Sequence, residues 1–104
     1  MRAEKRKRLE AKGWKVAGPA EFLGLSDEEA AYIELRLKLA DALRSRRNAQ
    51  AISQTTLAKT LQSSQSRVAK MESGDPTVSL DLLVRSLLAL GASNQDLARI
   101  ISRS

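Results

Sequence analysis

An all-α fold is what this sequence predicts, and three observations carry the prediction. Serines stand ahead of stretches with helical apolar spacing at Ser26, Ser53, Ser64, Ser79 and Ser93. Glycines close two of those stretches, at Gly74 and Gly91. Only a fragment at 14–16 alternates in the manner of a strand. A hydroxyl just before a helix accepts from an amide that has no carbonyl partner inside the helix. A glycine just after it takes the left-handed conformation that ends the ladder. The expected architecture is five helices in residues 26–104, preceded by an N-terminal arm over 1–25.

Taken in order, residues 1–12 hold six basic and two acidic side chains, and read as a short solvated helix or a loose arm stopped by Gly13. Trp14 and Val16 flank Lys15 in the pattern of a short strand, Gly18-Pro19 is a turn signal, and Phe22, Leu23 and Leu25 are apolar anchors. Ser26-Asp27-Glu28-Glu29 is a capping box, and its acids suit the positive end of a helix dipole. From there to about Asn48 no Gly or Pro intervenes. Ile33, Leu37, Ala40 and Leu35, Leu39, Leu43 follow helical spacing, and Arg44, Arg46 and Arg47 fall in the last turns, where the dipole favours cations. Ser53 caps a second helix through Leu61, burying Leu57, Ala58 and Leu61, and Gln62-Ser63 is a tight turn. Ser64 caps a third through Glu72 or Ser73, burying Val68 and Met71. After the loop Asp75-Pro76-Thr77, Ser79 caps a fourth to Leu90, carrying Leu80, Leu83, Leu87 and Leu90. Ser93-Asn94-Gln95-Asp96 opens the fifth, which holds Leu97, Ile100 and Ile101.

Composition narrows the function classes. The 104 residues contain neither Cys nor His, which removes disulfide scaffolds, cysteine-based zinc or iron–sulfur sites, thiol catalysis and His-dependent triads. Asp27, Glu28, Glu29 and Glu34 are accounted for by capping and dipole compensation, so no enzyme activity, metal or cofactor is expected. The longest apolar runs fall far short of the ~20 residues that cross a bilayer, and no apolar block with a cleavage site follows the basic start. A small soluble cytoplasmic protein is the expectation. Lys and Arg total 18 against 12 Asp and Glu, a net charge of +6, and such a surplus points to a polyanionic partner.

The second and third helices are short and joined by a turn too tight to reverse the chain fully. That is the geometry of a helix-turn-helix, whose second helix projects and can enter a DNA major groove. On that helix Gln65, Ser66 and Lys70 lie opposite Val68 and Met71. Gln matches adenine N6 and N7, and Lys reaches guanine O6 and N7. Arg67 lies beside them, within reach of a phosphate or a base edge, and Gln54 opens the preceding helix where amides and side chain can meet a phosphate.

Residues 39–91 resemble the Cro/CI-type (XRE), lambda-repressor-like helix-turn-helix domain. The likeness is carried by SQTTLAKTLQSSQSRVAKMESG at 53–74 and SLDLLVRSLLALG at 79–91. It implies base reading by Gln65, Ser66 and Lys70, with Gln54, Ser64 and Arg67 on backbone or base. It also implies a structural ion pair between Arg47 and Glu72. Gln62 stands where the family has Gly and Ser63 where it has Val, and a non-Gly residue in a left-handed turn costs on the order of 1 kcal/mol. The stretch GWKVAGPAEFLGLSDEEAAYIELRLKLADALR is similar to small antitoxins of the HigA type. That likeness implies a RelE/HigB-like ribonuclease toxin as partner, contacted by Trp14, Val16, Phe22 and Leu23, and autoregulation of the shared operon. A stand-alone or phage-like regulator without a toxin is the alternative.

The resemblance leads to a homodimeric repressor on a double-stranded operator, its recognition helices about 34 Å apart. Other assignments stay open at this level. The basic arm fits DNA phosphates, a protein partner or no role. Trp14 and Phe22 fit a cover over the long helix or a partner site, and the fifth helix fits a core cap or a dimer interface.

Overall fold

The computed structural model describes residues 26–103. The expected arm 1–25, with its strand at 14–16 and the residues Trp14, Val16, Phe22 and Leu23, lies outside them. The described residues form five helices: α1 (Asp27–Ala49), α2 (Gln54–Thr60), α3 (Gln65–Ser73), α4 (Leu80–Ala89) and α5 (Asn94–Ser102). The chain divides into two compact units, Met1–Leu35 and Arg36–Ser104.

What is described of the first unit is the opening of α1. Ser26 Oγ accepts from the Glu29 amide at 3.1 Å, and Glu29 Oε1 accepts from the Ser26 amide at 3.2 Å, so the capping box read from the sequence is formed.

In the second unit every helix start is a serine. Ser53, Ser64, Ser79 and Ser93 accept from the amides of Thr56, Arg67, Leu82 and Asp96. The Ser93 cap is reciprocal, because Asp96 Oδ2 accepts from the Ser93 amide at 2.8 Å. This backbone hydrogen bond, then the one with the Ser93 side chain, holds the Asp96 carboxyl below its usual range. Its stabilising effect is therefore fully present above about pH 3.9, where the unfolded carboxylate is ionised. The effect is lost as pH falls through the lower folded value. Asp96→Asn is expected to be less stable than the parent at pH 7, with the gap closing below pH ~3 in urea titrations. A gap that persists unchanged in acid would contradict the assignment.

The helix ends share one device. After α1, α2, α3 and α4 the chain passes through a left-handed residue: Ala51 (φ 57°), Gln62 (φ 54°), Gly74 (φ 75°) and Gly91 (φ 88°). In each case the next amide reaches back to the carbonyl five residues earlier: Ile52 to Arg47, Ser63 to Ala58, Asp75 to Lys70, Ala92 to Leu87. These are four Schellman stops. Glycine occupies two of them and L-residues the two that bracket α2. Gln62→Gly is expected to raise stability by about 1 kcal/mol, the left-handed penalty of a side chain being removed. An unmoved or lowered melting temperature would show that the Gln62 side chain offsets its own strain.

The core collects Leu39 and Leu43 from α1, Leu57 and Ala58 from α2, Val68 and Met71 from α3, and Leu83 and Leu87 from α4. Val78, Leu90, Ala92 and Ile100 close its edges. Full burial of each large apolar side chain contributes about 1.5–3 kcal/mol. Ser86 is wholly buried among them, its hydroxyl donating to the Leu82 carbonyl at 2.7 Å, so no polar atom is stranded there. The α1–α2 corner is tied to the end of α4 by Gln50 Nε2, which donates to the Leu90 carbonyl at 2.6 Å. Helix α5 runs antiparallel along α1: Arg46 meets Asp96 at one end, and Lys38 Nζ donates to the Ile101 carbonyl at the other.

One apolar expectation needs correction: Leu61, expected to be buried, sits at the C-cap of α2 and is only partly covered. Leu37 and Ile101 are both about half exposed, at 50% and 48%. Leu37 lies over Gly74 instead of in the core. A Cβ on Gly74 would stand 2.5 Å from Leu37 Cδ2, so the glycine supplies both the left-handed turn and the space for that methyl. Ile101 lies one residue past Ile100 on α5, and a step of one residue turns its side chain away from the face that Ile100 buries. Leu80 is likewise only partly covered.

Candidate nucleic-acid interface

Helix α3 has two unlike faces. Val68, Met71 and Glu72 are buried, whereas Gln65, Ser66, Arg67 and Lys70 are exposed, along with Ser64 at its N-cap. The expected opposition of Gln65, Ser66 and Lys70 to Val68 and Met71 is what the structure displays. Ala58 and Val68, expected to be buried on the inner faces of α2 and α3, are both buried.

Beneath the exposed face runs a chain of polar contacts. Arg47 Nε donates to Glu72 Oε2 at 2.5 Å, and Arg47 Nη2 donates to Oε1 at 3.0 Å, a two-pronged ion pair. The side chains are only 12% and 3% exposed. The hydrogen bond with Glu72, seconded by its charge, holds the Arg47 pKa above its ordinary value against the opposing effect of burial. The third prong, Arg47 Nη1, donates to the Ile52 carbonyl at 2.9 Å and fixes the corner before α2. Glu72 Oε1 also accepts from Gln54 Nε2 at 3.1 Å, and Gln54 Oε1 accepts from Gln65 Nε2 at 2.6 Å. Arg47, Glu72, Gln54 and Gln65 thus form one relay from the end of α1, through α3 and α2, back to the exposed start of α3.

The relay orients what Gln65 presents outward. A primary amide carries two N–H groups and one oxygen. With one N–H given to Gln54, the oxygen and the other N–H remain, an acceptor beside a donor. That pair matches the N6 donor and N7 acceptor of adenine. The Gln54 side chain is turned inward, with its oxygen and amide nitrogen both engaged inside the protein. Its place in the relay was missed at the sequence level. The signal was present, because Gln54 and Gln65 each follow a Ser N-cap at the first position of their helices.

Ser64 Oγ accepts from the Arg67 amide at 3.1 Å and shapes the helix start. The exposed face carries Arg67 and Lys70, and the one acid of α3, Glu72, is buried against Arg47. Asp75 follows Gly74, its carboxylate accepting from the Thr77 amide and hydroxyl at 2.8 and 2.6 Å. Those two bonds, hydroxyl first, hold its pKa down.

A sequence profile of the helix-turn-helix domain matches residues 38–100. The chain belongs to the helix-turn-helix family. Comparison with curated proteins and with solved structures gives no match. Membership fits α2 and α3 as observed, two short helices joined by the stop at Gln62, and it supports a DNA-binding transcription regulator. No helix of the described residues of this helix-turn-helix protein is long and apolar enough to cross a membrane.

Proposed function

We propose that this helix-turn-helix protein is a non-enzymatic, cytoplasmic, XRE-type repressor that binds a two-fold operator as a homodimer. Gln65, Ser66 and Lys70 read base edges, Ser64 and Arg67 support them at the backbone or base, and Gln54 supports them by holding Gln65 through its side chain and by offering its backbone amide to a phosphate. The observation that carries this reading is the relay, which sets the free edge of the Gln65 amide as an acceptor–donor pair before any DNA is present. A nine-residue helix is about 13.5 Å long and covers only part of one groove, so a second copy extends the site that is read. Repression follows from occluding polymerase. Selection of bound sequences from a random duplex pool tests the whole reading. The expected result is a two-fold site with an adenine in each half and half-sites about one DNA turn apart. Recovery of unenriched sequence would overturn it.

Residues 1–25 support a second role as an antitoxin of the HigA type, neutralising a RelE/HigB-like ribonuclease. Trp14, Val16, Phe22 and Leu23 are four large apolar residues within a short basic segment, the pattern of an arm that docks on a partner. A small reading frame directly adjacent in the genome favours that role, and its absence favours a stand-alone or phage-like regulator. Deleting 1–25 is expected to abolish capture of the adjacent frame's product while DNA binding persists. Equal capture without the arm would remove the role.

A further inference from the structure

Outside the base-reading face, the described residues form a groove along α5 beside the end of α1. It has a volume of about 380 Å³ and is lined by Arg46, Asp96, Arg99, Ile100, Ser102 and Arg103. Asp96 is its one acid, and that carboxylate is fixed by the capping box at Ser93. Asp96 in turn holds two guanidinium groups: Arg46 at 3.2 Å on Oδ2, and Arg99 on Oδ1. Arg103 follows the last turn of α5 in extended conformation and borders the same groove.

We propose that this groove is a phosphate-binding site. Three guanidinium groups against one carboxylate leave two positive charges around the groove. Each guanidinium has five N–H donors, and Asp96 uses only some of those on Arg46 and Arg99. Arg46, the less exposed of the two, is held by Asp96 at the edge of the groove, and both paired arginines keep donors left over for a ligand. A residual charge of two suits phosphate, which carries up to two negative charges near neutral pH, better than a single carboxylate. Planar guanidinium forks match phosphate oxygens two at a time. Ile100, itself buried, is the one apolar side chain of the lining. The phosphate belongs either to a nucleic-acid backbone or to a free phosphate ester.

The test pairs two measurements on the full chain, its Arg99→Gln/Arg103→Gln variant, and a control, Arg85→Gln, on α4. In the first, inorganic phosphate is titrated at constant ionic strength without DNA, and the arginine Nε–H signals are followed by NMR. Saturable shifts at Arg46, Arg99 and Arg103 are expected in the parent. Phosphate affinity should be about tenfold weaker or lower still in the double variant, where charge-assisted hydrogen bonds are lost. The Arg85 variant should behave as the parent. In the second, the salt dependence of duplex binding is compared. A slope smaller by about 2 in the double variant alone assigns the phosphate to the DNA backbone. An unchanged slope with saturable phosphate binding assigns it to a free phosphate ester. Absence of saturation, or equal saturation in the double variant, overturns the proposal. The first measurement needs no DNA, so its failure is distinct from failure of base reading by Gln65.

Discussion

Glu72→Ala is expected to lower stability by about 3–5 kcal/mol, the cost of leaving a buried charge without its partner. Three donor groups lose their acceptor at once: Arg47 Nε, Arg47 Nη2 and Gln54 Nε2. Small domains have about 5–15 kcal/mol in total, so the variant sits near the limit of folding at 25 °C. Urea denaturation measures the loss directly. Replacing both partners with apolar residues, Arg47→Met with Glu72→Leu, is expected to recover much of it, because no charge then remains buried. An unaltered midpoint for Glu72→Ala would refute the pair's structural weight. Failure of the double replacement to recover would show that the hydrogen bonds to Ile52 and Gln54 matter more than the buried charge.

Gln65→Ala is expected to cost about 1–3 kcal/mol on the selected operator and to relax preference at one base position. Affinity for random duplex should stay near the parent's. An equal loss on both would move Gln65 from base reading to backbone contact. Gln54→Ala should blur the same position without removing it, since the Gln65 amide would then rotate freely. In a double-mutant cycle the two changes should fall short of additive, the signature of residues acting through one contact. Full additivity would separate them and dissolve the relay as a device for recognition.

Much of this was legible in the sequence because its punctuation is local. Ser53, Ser64, Ser79 and Ser93 each announce a helix through a bond to an amide three residues on, and Gly74 and Gly91 announce two ends the same way. Short-range chemistry of that kind survives translation into one dimension. The split of α3 into a Gln65/Ser66/Lys70 face and a Val68/Met71 face was readable for the same reason, being fixed by the helical period. The Arg47–Glu72 pair came from the family likeness, since 25 positions separate the partners. What stayed hidden depends on the neighbours of a residue in space. Ala51 gives no local sign of a left-handed stop; the constraint comes from the corner held by Arg47, Ile52 and Gln50. Leu37 keeps the right period and still lies half in solvent, because its resting place is the bare α-carbon of Gly74. Gln54 reads in the sequence as a phosphate contact, and its side chain is the middle of a relay that joins α1, α2 and α3.

The pair of L-residues in left-handed geometry, Ala51 and Gln62, has a bearing on how this protein can change over time. Both lie at the borders of α2, and neither belongs to the set proposed to contact bases. Conversion of either to glycine is expected to add tolerance to heat while leaving the preferred operator alone. Descendants in hotter surroundings therefore have a route to robustness that never passes through the vocabulary of the binding face.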